Sequence, residues 1–264
     1  MPIKVIEPQR LYRQISDQLR TLIIAGEFPV GSRLPSERDL AVQLGVSRPS
    51  LREALIALEV QGYIEVRMGS GIYICEPPSP SRARPDLSGE EGPLEVIQAR
   101  TVLEGEVAAI AAKAGRKPHY DAIEEAIDMM EADARAGIKP VEADRLFHVR
   151  IAEATGNSVL VDVVKRMFDF RMGPLFDQLD SHFETNDVWQ DAIREHREIL
   201  QALRSKKPEL ARSAMQHHMG IAFKRLTSSL VDGKKPGGRR LRVAAAQATA
   251  VAPRASAVPR KGGK

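Results

Sequence analysis

A chain of 264 residues with 43% hydrophobic side chains is long enough for two domains with substantial cores, and 39 basic against 35 acidic residues leave a net charge of only +4. The single cysteine, Cys75, excludes a disulfide framework; the start MPIKVIEPQR leads into no secretory apolar core, and no run approaches the ~18 apolar residues of a membrane span, so a cytoplasmic protein is expected. The charge is unevenly spread. Residues 1–75 hold nine bases and eight acids, residues 76–232 hold 21 and 27, and residues 233–264 hold nine and none.

Leu11, Ile15, Leu19, Leu22 and Ile23 recur at helical spacing, and Gly26 stops the run. A second, short helix begins after Ser36, whose hydroxyl can act reciprocally with Asp39, and ends at Gly45, which tolerates positive φ. A third begins at once, with Ser47 as N-cap and Pro49 in the first turn, where a missing N–H costs nothing. Its buried stripe is Leu51, Ala54, Leu55 and Leu58, which predicts Arg48, Ser50 and Arg52 facing outward. Tyr63–Val66 and Ile72–Ile74 alternate like strands around Arg67, Met68, Gly69, Ser70 and Gly71, a hairpin whose glycines permit close approach to a nucleic-acid backbone. Two helices joined by a glycine turn, the second presenting arginines from its first turns, match a helix-turn-helix, and an arginine there can grip the O6 and N7 of guanine.

The order LPSER, GVSR, LREAL and a G-x-G wing, within about residues 8–75, resembles the winged helix-turn-helix of GntR-type bacterial transcription regulators. The resemblance implies that Arg38, Arg48 and Arg52 read bases or phosphates of double-stranded DNA, with Ser50 beside them, and that Gly69 and Gly71 shape the wing.

Residues 76–92, rich in Pro, Ser and charge, are expected to form a linker between a DNA-binding domain over 1–75 and a helical domain over 93–232. Helices are predicted near 93–114, 119–136, 140–155, 158–179, 188–206 and 208–231, the fourth breaking at Gly173–Pro174 to give six or seven. The fold class is thus mainly α: three helices and a β-hairpin, then an all-α bundle. The basic tail, 233–264, has almost no large apolar side chains and is expected to be disordered, either a solubilising appendage or a source of salt-sensitive DNA affinity.

Asp144 and His148 lie four residues apart on one helical face, with His196 and either His217 or His218 on later helices. Such a set can converge on one metal ion inside a bundle, although gaps of this length match no compact metal motif. Residues 93–230 resemble the FadR-type effector domain, FCD, through D-x-x-x-H at 144–148, E-H-x-x-I at 195–199 and M-x-x-H at 215–218. The resemblance assigns Asp144, His148, His196 and His218 as ligands of a divalent metal, zinc or nickel by donor type. It also turns Arg100 toward the cavity as a carboxylate clamp, where spacing alone gives an ion pair with Glu104. Arg171 and Asn157 are further effector-binding candidates, Asn157 equally an N-cap. His119 and His182 are placed in loops as bystanders, and Trp189 is read as packing rather than a sugar platform.

Within the subfamily the stretches EPQRLYRQI, LEVQGYIEVRMGSGI and GPLEVIQAR are most similar to those of hexuronate-catabolism regulators. The expected function is a homodimeric regulator, chiefly a repressor, that reads an inverted repeat and is released by a small carboxylate. Three other readings are a sensor of a different organic acid such as a hydroxy acid or dicarboxylate, a metal-dependent sugar-acid enzyme fused to a DNA-binding domain, and a sequence-blind DNA binder driven by the tail. No nucleophile elbow, phosphate loop or cofactor fingerprint supports the enzyme.

Overall fold

The computed structural model describes residues 10–78, 87, 90–183 and 185–227; the basic tail lies outside them. Helix α1, Leu11–Ile24, buries Tyr12, Ile15, Leu19 and Ile23 and ends before Gly26 at φ +82°. The stripe starts one residue later than its leucines suggest. Leu11 is exposed while Tyr12 is buried, its hydroxyl donating to the Glu90 carbonyl at 3.1 Å. That bond, with Arg13 donating to the carbonyls of Leu87 and Glu90, pins the end of the expected linker against α1.

Helices α2, Glu37–Leu44, and α3, Arg48–Val60, start and stop on the expected residues. The Asp39 N–H donates to Ser36 Oγ at 3.2 Å, the Ser36 hydroxyl donates to the Asp39 carboxylate at 2.7 Å, and the Ser50 N–H donates to Ser47 Oγ at 3.2 Å. Gly45 takes the left-handed conformation at φ +65°, which only glycine adopts without strain. Strands β1, Ile64–Arg67, and β2, Gly71–Ile74, pair antiparallel from Ile64↔Ile74 to Arg67↔Gly71. Gly71 sits at φ +135°, and a Cβ there would collide with the Arg33 guanidinium, so its demand for glycine arises inside the protein.

The second half is helical: α4, Pro93–Ala114; α5, Lys117–Arg135; α6, Val141–Glu153; α7, Ser158–Asp169; α8, Pro174–Phe183; α9, Asn186–Arg204; and α10, Pro208–Thr227. The break at Gly173–Pro174 is present: a 3₁₀ turn over Phe170–Met172 follows α7, and Pro174 opens α8, where its missing N–H is harmless. Helix α10 packs along α4 and α9, while α5 lies against α6 and α9. Among the described residues, no helix is long and apolar enough to cross a membrane.

Helix α3 is buried on more than the predicted face. Leu51, Ala54, Leu55 and Leu58 form the expected stripe, yet Arg52, Glu53, Ile56 and Ala57 are buried as well. The cause is a second neighbour that periodicity cannot reveal, since α8 and α4 pack against α3 from the helical half. Arg52 therefore does not face outward. It is 1% exposed, donates to Glu37 at 2.7 Å and reaches the Leu226 carbonyl at the end of α10 at 3.5 Å. His182 is likewise no loop residue. It lies on α8 and bonds through Nε2 to Glu59 Oε2 of α3 at 2.6 Å, while Glu59 Oε1 accepts from the Val66 N–H of the wing at 2.8 Å. His119 falls in the first turn of α5, where its Nδ1 accepts from the Arg116 N–H at 3.2 Å.

Two buried carboxylates on the DNA-binding half generate predictions. Glu37 neutralises a buried guanidinium, so Glu37→Ala strands that charge; a loss of about 3–5 kcal/mol in chemical denaturation is expected. Glu53 Oε1 accepts from the Leu94 N–H at 2.7 Å and so caps α4 from α3. Burial pushes the Glu53 carboxyl up to about 7, against the opposing pull of the Leu94 N–H. The folded state thus keeps a proton that the unfolded chain, with an ordinary glutamate near 4.5, gives up. Stability from this group is complete below about pH 4.5 and falls as pH rises toward 7, by about 3 kcal/mol at most. Glu53→Gln keeps an acceptor for Leu94 and should flatten the stability profile between pH 5 and 7.5; an unchanged slope would assign the pH dependence elsewhere.

Candidate functional site

Three helices deliver the polar centre of the second half. Asp144 and His148 come from α6, His196 from α9 and His218 from α10, and all four are buried. Their facing atoms converge: His196 Nε2 lies 3.2 Å from His218 Nε2 and 3.4 Å from Asp144 Oδ1, and His148 Nε2 lies 3.7 Å from the same oxygen. One donor atom from each residue falls within 4.8 Å of every other. Zinc bonds of about 2.0–2.1 Å in a tetrahedron imply donor separations of about 3.3 Å, close to these values. His148 Nε2 is buried without a hydrogen bond, an uncommon state for a ring nitrogen unless something else meets it. His217, the rival to His218, is exposed on the outer face of α10.

The outer partners are residues that spacing did not single out for this role. The His148 Nδ1–H donates to Glu104 Oε2 on α4, and the His218 Nδ1–H donates to Glu195 Oε2 at 2.7 Å, which leaves both Nε2 atoms turned inward. Arg171 donates to Asp144 Oδ2 at 2.6 Å, leaving Oδ1 toward the imidazoles. Burial pushes the Glu104 carboxyl up, but Arg100 and His148 outweigh it and hold it at about 2. Asp144 is likewise held well below the carboxylate range by His148 and Arg171 despite its burial. Burial and the neighbouring imidazoles drive His196 well below the ordinary histidine value and His218 down to about 3, so both rings are neutral, the form that binds metals. For His148, burial lowers the value but the flanking carboxylates of Glu104 and Asp144 raise it overall.

A pocket opens beside this cluster. Asp144, His148 and His218 form one part of its wall, and Arg100, Arg171, Arg225, Asp180 and Trp189 supply its other polar groups. Arg100 lines the pocket and makes the ion pair its spacing predicts, its Nε donating to Glu104 Oε1 at 2.6 Å, while its guanidinium lies 3.9 Å from the centre of the Phe168 ring. Arg171 lines the pocket too. Asn157 does not: it caps α7, its Oδ1 accepting from the N–H groups of Val159 at 3.0 Å and Leu160 at 3.3 Å. Trp189 is more than packing. It is 6% exposed, lines the pocket and has a buried Nε1–H without a partner. Arg225, which no motif marked, donates to Glu195 Oε1 at 2.5 Å.

On the DNA-binding half, Arg38 and Arg48 are exposed and Ser50 is partly so, at the N-terminal ends of α2 and α3. Gly69, at φ +73°, turns the wing, and Arg67 is exposed beside it. Arg38, Arg48 and Arg67 are thus exposed on the helix pair and hairpin, whereas Arg52 is buried.

The model of the FCD domain matches residues 95–220, and that of the bacterial regulatory proteins of the gntR family matches residues 11–74. The chain is similar to the Uxu operon transcriptional regulator of Escherichia coli, 35% identical over 224 residues covering 83% of this chain and 87% of the relative. It is 36% identical over 223 residues to the Exu regulon transcriptional regulator of the same species, covering 82% and 84%. Among solved structures, a Streptococcus agalactiae GntR protein matches at 27% identity and a TM-score of 0.43, covering 81% of this chain and 99% of that one. The chain belongs to the GntR family of DNA-binding bacterial transcription regulators and carries an FCD domain.

Proposed function

We propose that the chain is a homodimeric repressor whose grip on an inverted-repeat operator is released by a small carboxylate, a sugar acid such as a hexuronate, bound beside a divalent metal ion. The buried convergence of Asp144, His148, His196 and His218 next to a pocket with three arginines carries the reading. Three imidazoles and one carboxylate would hold the ion, zinc or nickel by donor type. When bound, the ion supplies Lewis-acid positions to carboxylate and hydroxyl oxygens. Arg100, Arg171 and Arg225 supply the complementary positive charge, and a guanidinium can take a carboxylate in bidentate fashion. The names of the Uxu and Exu relatives support a hexuronate-linked role.

Control of DNA binding has a physical route in this reading. Arg225 and Leu226, in the last turn of α10, line the pocket, and the Leu226 carbonyl meets Arg52 of the DNA-reading helix. An effector that fixes the end of α10 favours the arrangement in which Arg52 is withdrawn. Arg38, Arg48, Ser50, Gly69 and Gly71 remain assigned to the DNA interface, and Arg52 joins them only when it leaves Glu37. Effector and operator then weaken each other by the same factor.

The metal-loaded full chain should show a melting temperature that rises with glucuronate or galacturonate concentration; at a hundred times Kd the gain is about 2.7 kcal/mol, or roughly 5–10 °C. Chelation or His148→Ala should abolish the shift while operator binding persists. In gel-shift titrations the same acid should weaken operator binding. Stabilisation that survives full chelation would remove the metal from the effector site, and no shift at millimolar acid would remove the carboxylate.

A further inference from the structure

The pocket contains two polar groups that a metal-anchored carboxylate does not require. Asp180, on α8, is buried among the lining residues, with Oδ2 3.7 Å from Arg171 Nη2. Trp189, on α9, presents an indole N–H that is buried and makes no hydrogen bond. Arg171 ties both to the metal cluster: it donates to Asp144 at 2.6 Å, approaches Asp180 at 3.7 Å and stands 5.7 Å from the centre of the Trp189 ring. The remaining wall near them is apolar, with Phe176, Phe183, Val188 and Ala192.

The hydrogen-bonding inventory restricts what fits. An indole N–H only donates, and an ionised carboxylate only accepts. A ligand that serves both must present an acceptor to Trp189 and a donor to Asp180, which a hydroxyl-bearing carbon chain does and a bare hydrocarbon does not. A second ligand carboxylate near Asp180 would face like charge in a poorly hydrated wall. A two- or three-carbon hydroxy acid spends its carboxylate and only hydroxyl on the metal and arginines, and has nothing left for Asp180.

We propose that Asp180 and Trp189 are specificity-determining residues that read the hydroxyls of the effector and set the pocket for polyhydroxylated monocarboxylates over dicarboxylates and short hydroxy acids. This rests on the reading that a carboxylate binds beside the metal, and it assigns the discrimination to two side chains outside the metal set. Arg171 has a positioning role here, holding Asp180 in line with the metal ligand Asp144.

The test is calorimetric titration of the metal-loaded full chain with galacturonate, glucuronate, malate and lactate, repeated with Asp180→Asn and Trp189→Phe. Wild type should bind a uronate at least about tenfold more tightly than malate or lactate. Asp180→Asn, which removes the charge but keeps the shape, should narrow the uronate-to-malate ratio by about tenfold, chiefly by admitting malate. Trp189→Phe, which keeps a ring but loses the N–H, should weaken uronate binding by about tenfold and leave lactate unchanged. A uronate that binds all three proteins with the same ranking overturns the proposal while leaving the metal–carboxylate reading intact. Absence of binding by any of the four acids to metal-loaded wild type defeats that reading and this one together. If either variant fails to fold, wild-type ranking decides alone, since malate or lactate binding as tightly as the uronates contradicts the proposal.

Discussion

Charge buried inside a helical core is the constraint that organises the second half of this protein. Arg100, Glu104, Asp144 and His148 are each no more than 4% exposed, and an isolated ion at such depth costs several kcal/mol. The chain meets that cost by alternating sign across elements. Arg100 faces Glu104, Glu104 faces His148, and Asp144 is held by Arg171, which also approaches Asp180. These partners come from α4, α6, the turn after α7 and α8, so any slip of one helix leaves a charge alone. Packing of apolar side chains such as Phe147, Phe168 and Ile123 sets how closely the helices approach, and the charge sequence sets their register.

The same elements that wall the pocket touch the DNA-reading helix. Helix α8 turns Phe176, Asp180 and Phe183 toward the pocket, at spacings of four and three, and sets His182 against Glu59 of α3. Helix α10 carries His218 in the cluster and, two turns later, Arg225 and Leu226 in the pocket wall, with the Leu226 carbonyl at Arg52. Glu59 in turn accepts from the wing strand. Recognition helix, wing and pocket are therefore joined by single side chains rather than by a long relay, and a shift of α8 or of the end of α10 acts directly on groups beside the DNA-reading rim.

Local chemistry was legible in the residues and long-range partnership was not. Ser36, Gly45, Ser47 and the Gly173–Pro174 break could be placed because a cap or a proline acts within four residues of itself. The buried histidine–aspartate cluster was reached differently: spacing offered Asp144 and His148 with His196 on a later helix, but only family motifs chose His218 over His217. Periodicity puts Arg52 outside because it sees one buried face, and the second face of α3 is created by α4 and α8, helices of the other half. Glu104, Glu195 and Arg225 were overlooked as cluster or pocket partners for the same reason. Each is a common charged residue on a helix, and its role exists only where four helices meet. Trp189 carried a signal in hindsight, a lone tryptophan near the start of a helix, but sequence does not reveal an unmet indole N–H.

The position of Arg52 bears on the sign of control. A guanidinium has five N–H donors, yet here one strong bond to Glu37 and one long contact to a carbonyl serve it, and its buried Nε has no partner. A DNA phosphate offers a bidentate, charge-assisted alternative, and counterion release adds to it at low salt. The withdrawn position is thus an under-satisfied one, and it persists because the Leu226 end of α10 and the body of α8 close over α3. Under the proposed function, whatever ligand stiffens that closure acts against DNA. The reciprocal follows from linkage: DNA that draws Arg52 outward loosens the end of α10 and with it the pocket wall formed by Arg225 and Leu226.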